Sequence, residues 1–466
     1  MYKADDTKRY FTQSGKPRFF LSDTAWMAFT NLEVDEFREY AGFRKSQGFD
    51  SLLIQNTPAF QDMPAKVKYF PFKVNPDGSY DLSFINPEYF EQVKRKMDIL
   101  KALEMTAFIV PMWVSFIPGS QMEKVYDCSG KQFTDFKHYT DFIDYSVNFY
   151  KEYHPVWLIG GDAEMTGEGT ENYKYYSYLA EKIRRECPGD ILSAHVAGGQ
   201  KVDKIYAEKG YIDFYTYQSG HMYNNFESLM SPNKMALDYY HNERAMPIMN
   251  AEPMYEAHGF GNKFGRFTDY YVRRAFWYSV LGGAVSGFTY GAHGIWMFYD
   301  GSGFNNESWS LVPMKWRSAM KLKGSYDAAR CKEIFEEYGM FDLVPDNSLN
   351  LTPYKEITAA ASPDKSKIVL YTPYMNYMYV KGDLSGYDCT WYIFDRDEIK
   401  LNAEKTVVPG TKILADDEEN AGLQKARVQY PEGLGSEKEV TLFEMPQFNC
   451  DGLLVCVKKR YLHKEG

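Results

Sequence analysis

Between Phe19 and Tyr290 the chain carries eight short apolar segments that end in polar or aromatic residues and alternate with helical stretches. They are Phe19–Leu21, Ser51–Ile54, Ala107–Val110, Val156–Ile159, Ile191–Ala194, Phe214–Tyr217, Pro247–Asn250 and Val285–Tyr290. Strands separated by helices pair in parallel, because the helix carries the chain back to the end of the sheet where the previous strand began. A helix is expected over residues 34–47, stopped by Gly48. Another starts at Asn86-Pro87, a cap followed by a first-turn proline, and runs to about Glu104 with Phe90, Val93, Met97 and Leu100 on one face. Further helices are expected over Asp269–Leu281, ended by Gly282-Gly283, and around residues 314–337. Eight such units predict an α/β fold of the (β/α)8 barrel type. An open doubly wound sheet uses the same alternation, but neither GxGxxG nor GxxxxGK[ST] follows an early strand, which removes the usual nucleotide-binding reason for that arrangement.

From about Leu349 the texture changes. Alternating segments such as Lys367–Tyr371, Cys389–Phe394 and Gly452–Val457 are separated by Asp, Gly, Pro and Lys turns, the pattern of antiparallel strands in a small sandwich. Two domains are therefore expected, a barrel over residues 1–343 and a β-sandwich over residues 344–466, and a chain of 466 residues exceeds what one core usually organises. The six cysteines lack CxxC spacing, so buried thiols are expected rather than a zinc cluster or a disulfide framework. Met1-Tyr-Lys-Ala-Asp-Asp6 has no apolar signal region and no run of about 18 apolar residues follows, so no membrane association is expected. The location expected is cytoplasmic, or exported if a leader has been removed. A net charge of −10 without a dense Lys/Arg cluster argues against nucleic acid as a partner.

In a barrel the residues just after each apolar run line one rim, where ligands bind. Here they are Asp23 and Trp26, Gln55 and Asn56, Trp113, Asp162 and Glu164, His195, Tyr217, Gln218 and His221, Glu252 and Glu256, and Tyr290, His293 and Trp296. An aromatic share of 17%, with 39 Tyr, suits surfaces that stack on sugar C–H faces while offering a polar edge. Cleavage of a glycosidic bond needs two carboxyl groups, one to protonate the leaving oxygen and one to attack the anomeric carbon or to activate water. Asp162 after the fourth segment and Glu252 after the seventh are the best pair, since those strands face each other across a barrel mouth. Glu164 is the reserve acid and Glu256 the reserve base. The remaining rim residues are candidates for substrate binding: Asp23 and Asn56 for hydroxyls, Trp113 and Trp296 as stacking faces, Trp26 at the same rim, and His195, Tyr217, Gln218, His221, Tyr290 and His293 around the reacting ring. No HExxH or similar pattern joins the histidines, so no catalytic metal or other cofactor is expected.

Several motifs in a shared order carry a family resemblance: Phe19-Phe-Leu-Ser-Asp-Thr-Ala-Trp26, Lys45-Ser-Gln-Gly-Phe-Asp50, Gly160-Gly-Asp162, Asn250-Ala-Glu-Pro-Met-Tyr-Glu256, Arg273-Arg-Ala-Phe-Trp-Tyr278 and Gly287-Phe-Thr-Tyr-Gly291. The chain resembles a bacterial family of TIM-barrel glycosidases that includes the apiosidases of glycoside hydrolase family 140, whose barrel is followed by a β-domain bearing a collagen-binding label. The resemblance implies a carbohydrate substrate, Asp162 as acid/base and Glu252 as nucleophile. One departure from the broader clan of retaining barrel glycosidases is visible: Gly161-Asp162 stands where that clan carries Asn-Glu. A non-catalytic carbohydrate-binding protein on the same barrel is the other function consistent with these residues.

Overall fold

The computed structural model describes residues 2–59, 68–223, 225–261, 265–302, 310–374, 377–394, 398–421, 429–445 and 450–459. Eight parallel strands form the first sheet: β1 Phe20–Thr24, β2 Ser51–Gln55, β3 Thr106–Val110, β4 Val156–Ala163, β5 Leu192–Val196, β6 Tyr215–Gln218, β7 Ile248–Glu252 and β8 Gly287–Tyr290. Their pairing order is β5-β4-β3-β2-β1-β8-β7-β6. The two ends of that order meet. The Asp213 amide donates to the Leu192 carbonyl at 2.7 Å and the Ser193 hydroxyl to the Phe214 carbonyl at 2.6 Å, which draws β5 against β6 and closes a barrel.

Helices on the outside return the chain between strands: α1 Val34–Ser46, α2 Pro87–Ala102, α3 Phe136–Tyr150, α4 Tyr173–Glu186, α5 Phe226–Asn242, α6 Asp269–Leu281 and α7 Lys323–Glu337. The expected cap of α2 is present, with the Asn86 side chain accepting from the Glu88 amide at 3.1 Å. The helix expected around 314–337 is divided into Trp316–Ala319 and α7, with Leu322 in an extended conformation before α7. A three-stranded antiparallel sheet of Tyr2–Ala4, Phe11–Gln13 and Lys16–Arg18 covers the end of the barrel where the strands begin. Its Phe11 packs edge-on against Phe20 and Phe214, and Phe20 against Phe108, so one aromatic cluster plugs that end. The opposite end is left for ligands.

The carboxyl-terminal strands form a six-stranded and a three-stranded antiparallel sheet. Ile368, Leu370, Trp391 and Leu454 from the larger sheet and Met378, Val380 and Phe443 from the smaller share one buried core, the sandwich arrangement. By contact density the chain separates into Met1–Ser279 with Ala284–Phe341, and Val280–Gly283 with Asp342–Gly466. Among the described residues no helix is long and apolar enough to cross a membrane.

One buried ion pair fastens α1 to the barrel. Arg44 Nε lies 2.5 Å from Asp23 Oδ2 at the end of β1, both side chains are fully buried, and Tyr40 donates to the same oxygen at 2.5 Å. Removing the cation alone leaves a carboxylate in a medium that cannot solvate it. We expect Arg44→Met to lower stability by about 3–5 kcal/mol, read as an earlier unfolding midpoint in urea. Asp23→Asn with Arg44→Met should recover part of that loss.

Candidate active site

Glu252 is the last residue of β7 and is 6% exposed. Its Oε1 accepts a 2.5 Å hydrogen bond from the Tyr255 hydroxyl and lies 3.2 Å from His221 Nε2; its Oε2 lies 3.2 Å from His195 Nε2. The Tyr255 hydroxyl accepts in turn from Trp26 Nε1 at 2.8 Å. His195 Nδ1 accepts the backbone N–H of Asp162 at 3.1 Å, so in the neutral ring the proton is on Nε2 and faces Glu252. Burial alone would raise the Glu252 pKa. Hydrogen bonds and electrostatic attraction from His195 and His221 outweigh it and hold the carboxyl well below the usual range.

Asp162 stands near the end of β4, where the backbone leaves the extended form. Gly160, Gly161 and Asp162 have φ of +92°, +108° and +60°, a left-handed run that costs an L-residue energy and suits glycine. Pairing with β5 jumps from His195–Gly160 to Val196–Ala163, so Gly161 and Asp162 bulge out of the sheet. The bulge turns the Asp162 amide onto His195, and its carbonyl receives Gln121 Nε2 at 2.5 Å. Gln121 Oε1 also accepts from the Glu164 amide at 3.3 Å, so one side chain braces the backbone that leaves the acid. A second bulge precedes Glu252, where pairing with β6 passes from Tyr217–Asn250 to Gln218–Glu252. Each carboxyl is thus re-aimed by a break in ladder register.

Burial and the negative charge of Glu252 raise Asp162 to about 6, against the opposing electrostatic pull of His195 and His221 and a hydrogen bond with Gln218. At neutral pH the two acids differ: Glu252 is fixed as an anion, while Asp162 changes state within the working range.

Both acids line a cleft of about 600 Å³ together with Trp26, Gln55, Trp113, Gln218, His221 and Trp296. Trp26 and Trp113 pack at 5.4 Å between ring centroids, and Trp26 meets the edge of His195 at 4.8 Å. The other rim candidates lie outside the cleft lining. Asp23 is engaged by Arg44 and Tyr40. Asn56 Oδ1 accepts from the Tyr150 hydroxyl at 2.7 Å, and the Tyr217 hydroxyl donates to the Pro232 carbonyl at 2.8 Å; both point to the outer helices. Glu256 accepts from the Tyr290 hydroxyl at 2.6 Å and the Gly324 amide at 3.1 Å, and burial raises its pKa to about 7. His293 Nε2 is 2.8 Å from the Leu311 carbonyl. The Glu164 amide and carbonyl bond to Gln121 and Asn172 beside the cleft. Sequence reasoning did not single out Tyr255, Gln121 or the cleft residue His258, whose ring stacks 4.9 Å from His221. The Glu252-x-x-Tyr255 spacing was the one available signal for Tyr255.

The glycine run gives a testable consequence. A Cβ on Gly161 would fall 2.6 Å from Trp113 Cε3 and 2.9 Å from Val110 Cγ1, so alanine must displace either the cleft wall or the acid. We expect Gly161→Ala to lower kcat/KM on the order of 10²-fold through misplacement of Asp162. Unchanged far-ultraviolet circular dichroism would separate this from loss of fold.

A closed (β/α)8 barrel with two carboxyls of oppositely displaced acidity at the rim where its strands end is the architecture of a glycoside hydrolase. Residues 5–342 match the family described as "Apiosidase-like, catalytic domain", and the chain belongs to that family. Among solved structures it is similar to one titled "Glycoside hydrolase" at 18% identity and a TM-score of 0.74, covering 99% of this chain and 98% of that one. It is also similar to a glycoside hydrolase family 5 protein from Bacteroides vulgatus ATCC 8482 at 19% identity and a TM-score of 0.73, covering 100% and 95%. At these identities the likeness is one of fold. A comparison with curated proteins gave no match.

Proposed function

We propose that this protein hydrolyses the glycosidic bond of a terminal or side-chain sugar in a plant or microbial polysaccharide or oligosaccharide, with retention at the anomeric carbon. Asp162 is the acid/base and Glu252 the nucleophile. The observation that carries this reading is that two carboxyls in one cleft have their pKa values pushed in opposite directions, Asp162 upward and Glu252 downward.

The depressed pKa of Glu252 also favours retention over inversion. An inverting enzyme would use Glu252 as a base toward water, but a carboxylate held this acidic is a weak proton acceptor. Direct attack on the anomeric carbon needs only a fixed anion, and Tyr255, His221 and His195 hold both carboxylate oxygens in place. Protonated Asp162 gives its proton to the departing oxygen as Glu252 forms the glycosyl ester. Esterification removes the negative charge that helped to raise Asp162. The Asp162 pKa then falls, and its carboxylate takes a proton from the water that cleaves the ester. The indole faces of Trp26, Trp113 and Trp296 suit the C–H face of the sugar, and Gln55 and Gln218 suit its hydroxyls.

The test is release of sugar from a panel of aryl glycosides and pectic oligosaccharides by the wild type, Asp162→Asn and Glu252→Gln. Turnover by the wild type that both variants lose supports the reading. Equal release by all three removes the assignment, and binding without release by the wild type would make the barrel a carbohydrate-binding protein.

A further inference from the structure

The six cysteines are buried and none is in a disulfide, but two of them are neighbours. Cys389 on strand Tyr387–Phe394 stands directly opposite Cys456 on strand Asp451–Lys458. The hydrogen-bond pattern shows which kind of opposed pair this is. The Cys389 carbonyl accepts from the Ala403 amide, so its backbone groups point away from Cys456. The Lys458 amide donates to the Ser366 carbonyl, so Cys456, two residues earlier in the same strand, points its backbone groups away from Cys389. Opposed residues of this non-hydrogen-bonded type have Cα atoms about 4.5 Å apart and the closer side chains. That separation lies within the span a disulfide bridges, about 4.4–6.8 Å. The Lys405 ammonium lies 3.5 Å from Cys389 Sγ.

We propose that Cys389 and Cys456 are an oxidation site, a cross-strand dithiol that a small peroxide converts to a disulfide. Cys389 is the attacking sulfur: it is 5% exposed and has the cation, whereas Cys456 is fully buried. The two thiols are also poised differently. The Cys456 thiol, then the nearby Lys405 charge, pulls Cys389 below the ordinary thiol range, while burial pushes Cys456 well above it. In the first step the Cys389 thiolate attacks one oxygen of hydrogen peroxide. The O–O bond breaks, a sulfenic acid forms, and the departing hydroxide takes up the proton Cys389 had given up, leaving as water. In the second, Cys456 sulfur attacks Cys389 sulfur, the S–O bond breaks, and the hydroxyl leaves with the Cys456 proton as a second water. Two thiols are oxidised by two electrons and one peroxide is reduced to two waters.

The bridge would join residues roughly 70 positions apart and tie two adjacent strands of the larger sheet, so it should stabilise the carboxyl-terminal unit. The test uses the full chain, reduced, then exposed to hydrogen peroxide, denatured and alkylated before intact-mass and peptide analysis. The expected result is a 2 Da loss, a linked Cys389–Cys456 peptide, four alkylated cysteines and a higher melting midpoint, all reversed by dithiothreitol. Lys405→Met should slow bridge formation severalfold without preventing it, and Cys456→Ser should stop Cys389 at a sulfenic acid that dimedone traps. Six alkylated cysteines after treatment, or oxidation of Cys389 to sulfinic acid without a bridge in the wild type, would overturn the proposal. Neither readout needs a variant to fold or a substrate to be known.

Discussion

Replacing Glu252 by glutamine should lower kcat/KM for the best aryl glycoside on the order of 10⁴-fold or more, the scale on which enzymes lose rate when a covalent nucleophile is removed. Glutamine keeps the volume and can still bond with Tyr255, His221 and His195, so the fold should be unchanged and sugar binding retained. What is lost is the charge and the attacking oxygen pair. In Glu252→Ala, which vacates the side-chain space, added azide should restore part of the rate with the activated glycoside, because a small anion can enter and attack the anomeric carbon from the Glu252 side, giving a glycosyl azide of inverted configuration. If Glu252 were only a structural acceptor for its two imidazoles, Glu252→Gln would lose stability rather than chemistry, and azide would do nothing.

Asp162→Asn should behave differently, and the difference depends on the leaving group. With an alkyl or sugar leaving group, which needs a proton, the loss expected is about 10²–10⁴-fold in kcat/KM. With a nitrophenyl leaving group, which departs unprotonated, glycosyl-ester formation should be much less affected. The pH profile provides a second check. In the proposed mechanism bond cleavage requires Asp162 protonated and Glu252 ionised. Asp162 is raised to about 6, so kcat/KM for an unactivated glycoside should fall about tenfold per unit as pH rises above that value. Glu252 is held well below the usual carboxylate range, so the acid limb lies far lower. In Asp162→Asn the limb near pH 6 should vanish. A wild-type profile flat through pH 8 would remove Asp162 as the acid.

Most of the barrel was legible in sequence because its strands are buried on both sides and read as apolar runs. The runs marked where the strands lie but stopped short of their ends. β5, β6 and β7 continue through His195, Gln218 and Glu252, polar residues that keep the ladder; Gln218 and Glu252 turn into the cleft, and His195 sits behind the two acids. Rim position alone also could not say which side chains face inward. Strand residues alternate, so Gln218 and Tyr217, or Gln55 and Asn56, point opposite ways. One of each pair lines the cleft and the other anchors an outer helix. The two bulges break that alternation beside the acids, and no residue pattern announces a bulge except glycine, present at 160 and 161 and absent before Glu252. Gln121 was not legible at all. It belongs to a short 3-10 turn, Gln121–Lys124, beyond the end of β3, and reaches Asp162 only through the fold.

The central claim is that Glu252 attacks the anomeric carbon while Asp162 supplies and then removes a proton. The most direct measurement is proton nuclear magnetic resonance of the anomeric signal during hydrolysis of the best aryl glycoside by the wild type, read before mutarotation mixes the products. The account predicts that the first sugar released has the anomeric configuration of the substrate. Release of the opposite anomer would contradict it, since a single displacement by water would then replace the Glu252 ester.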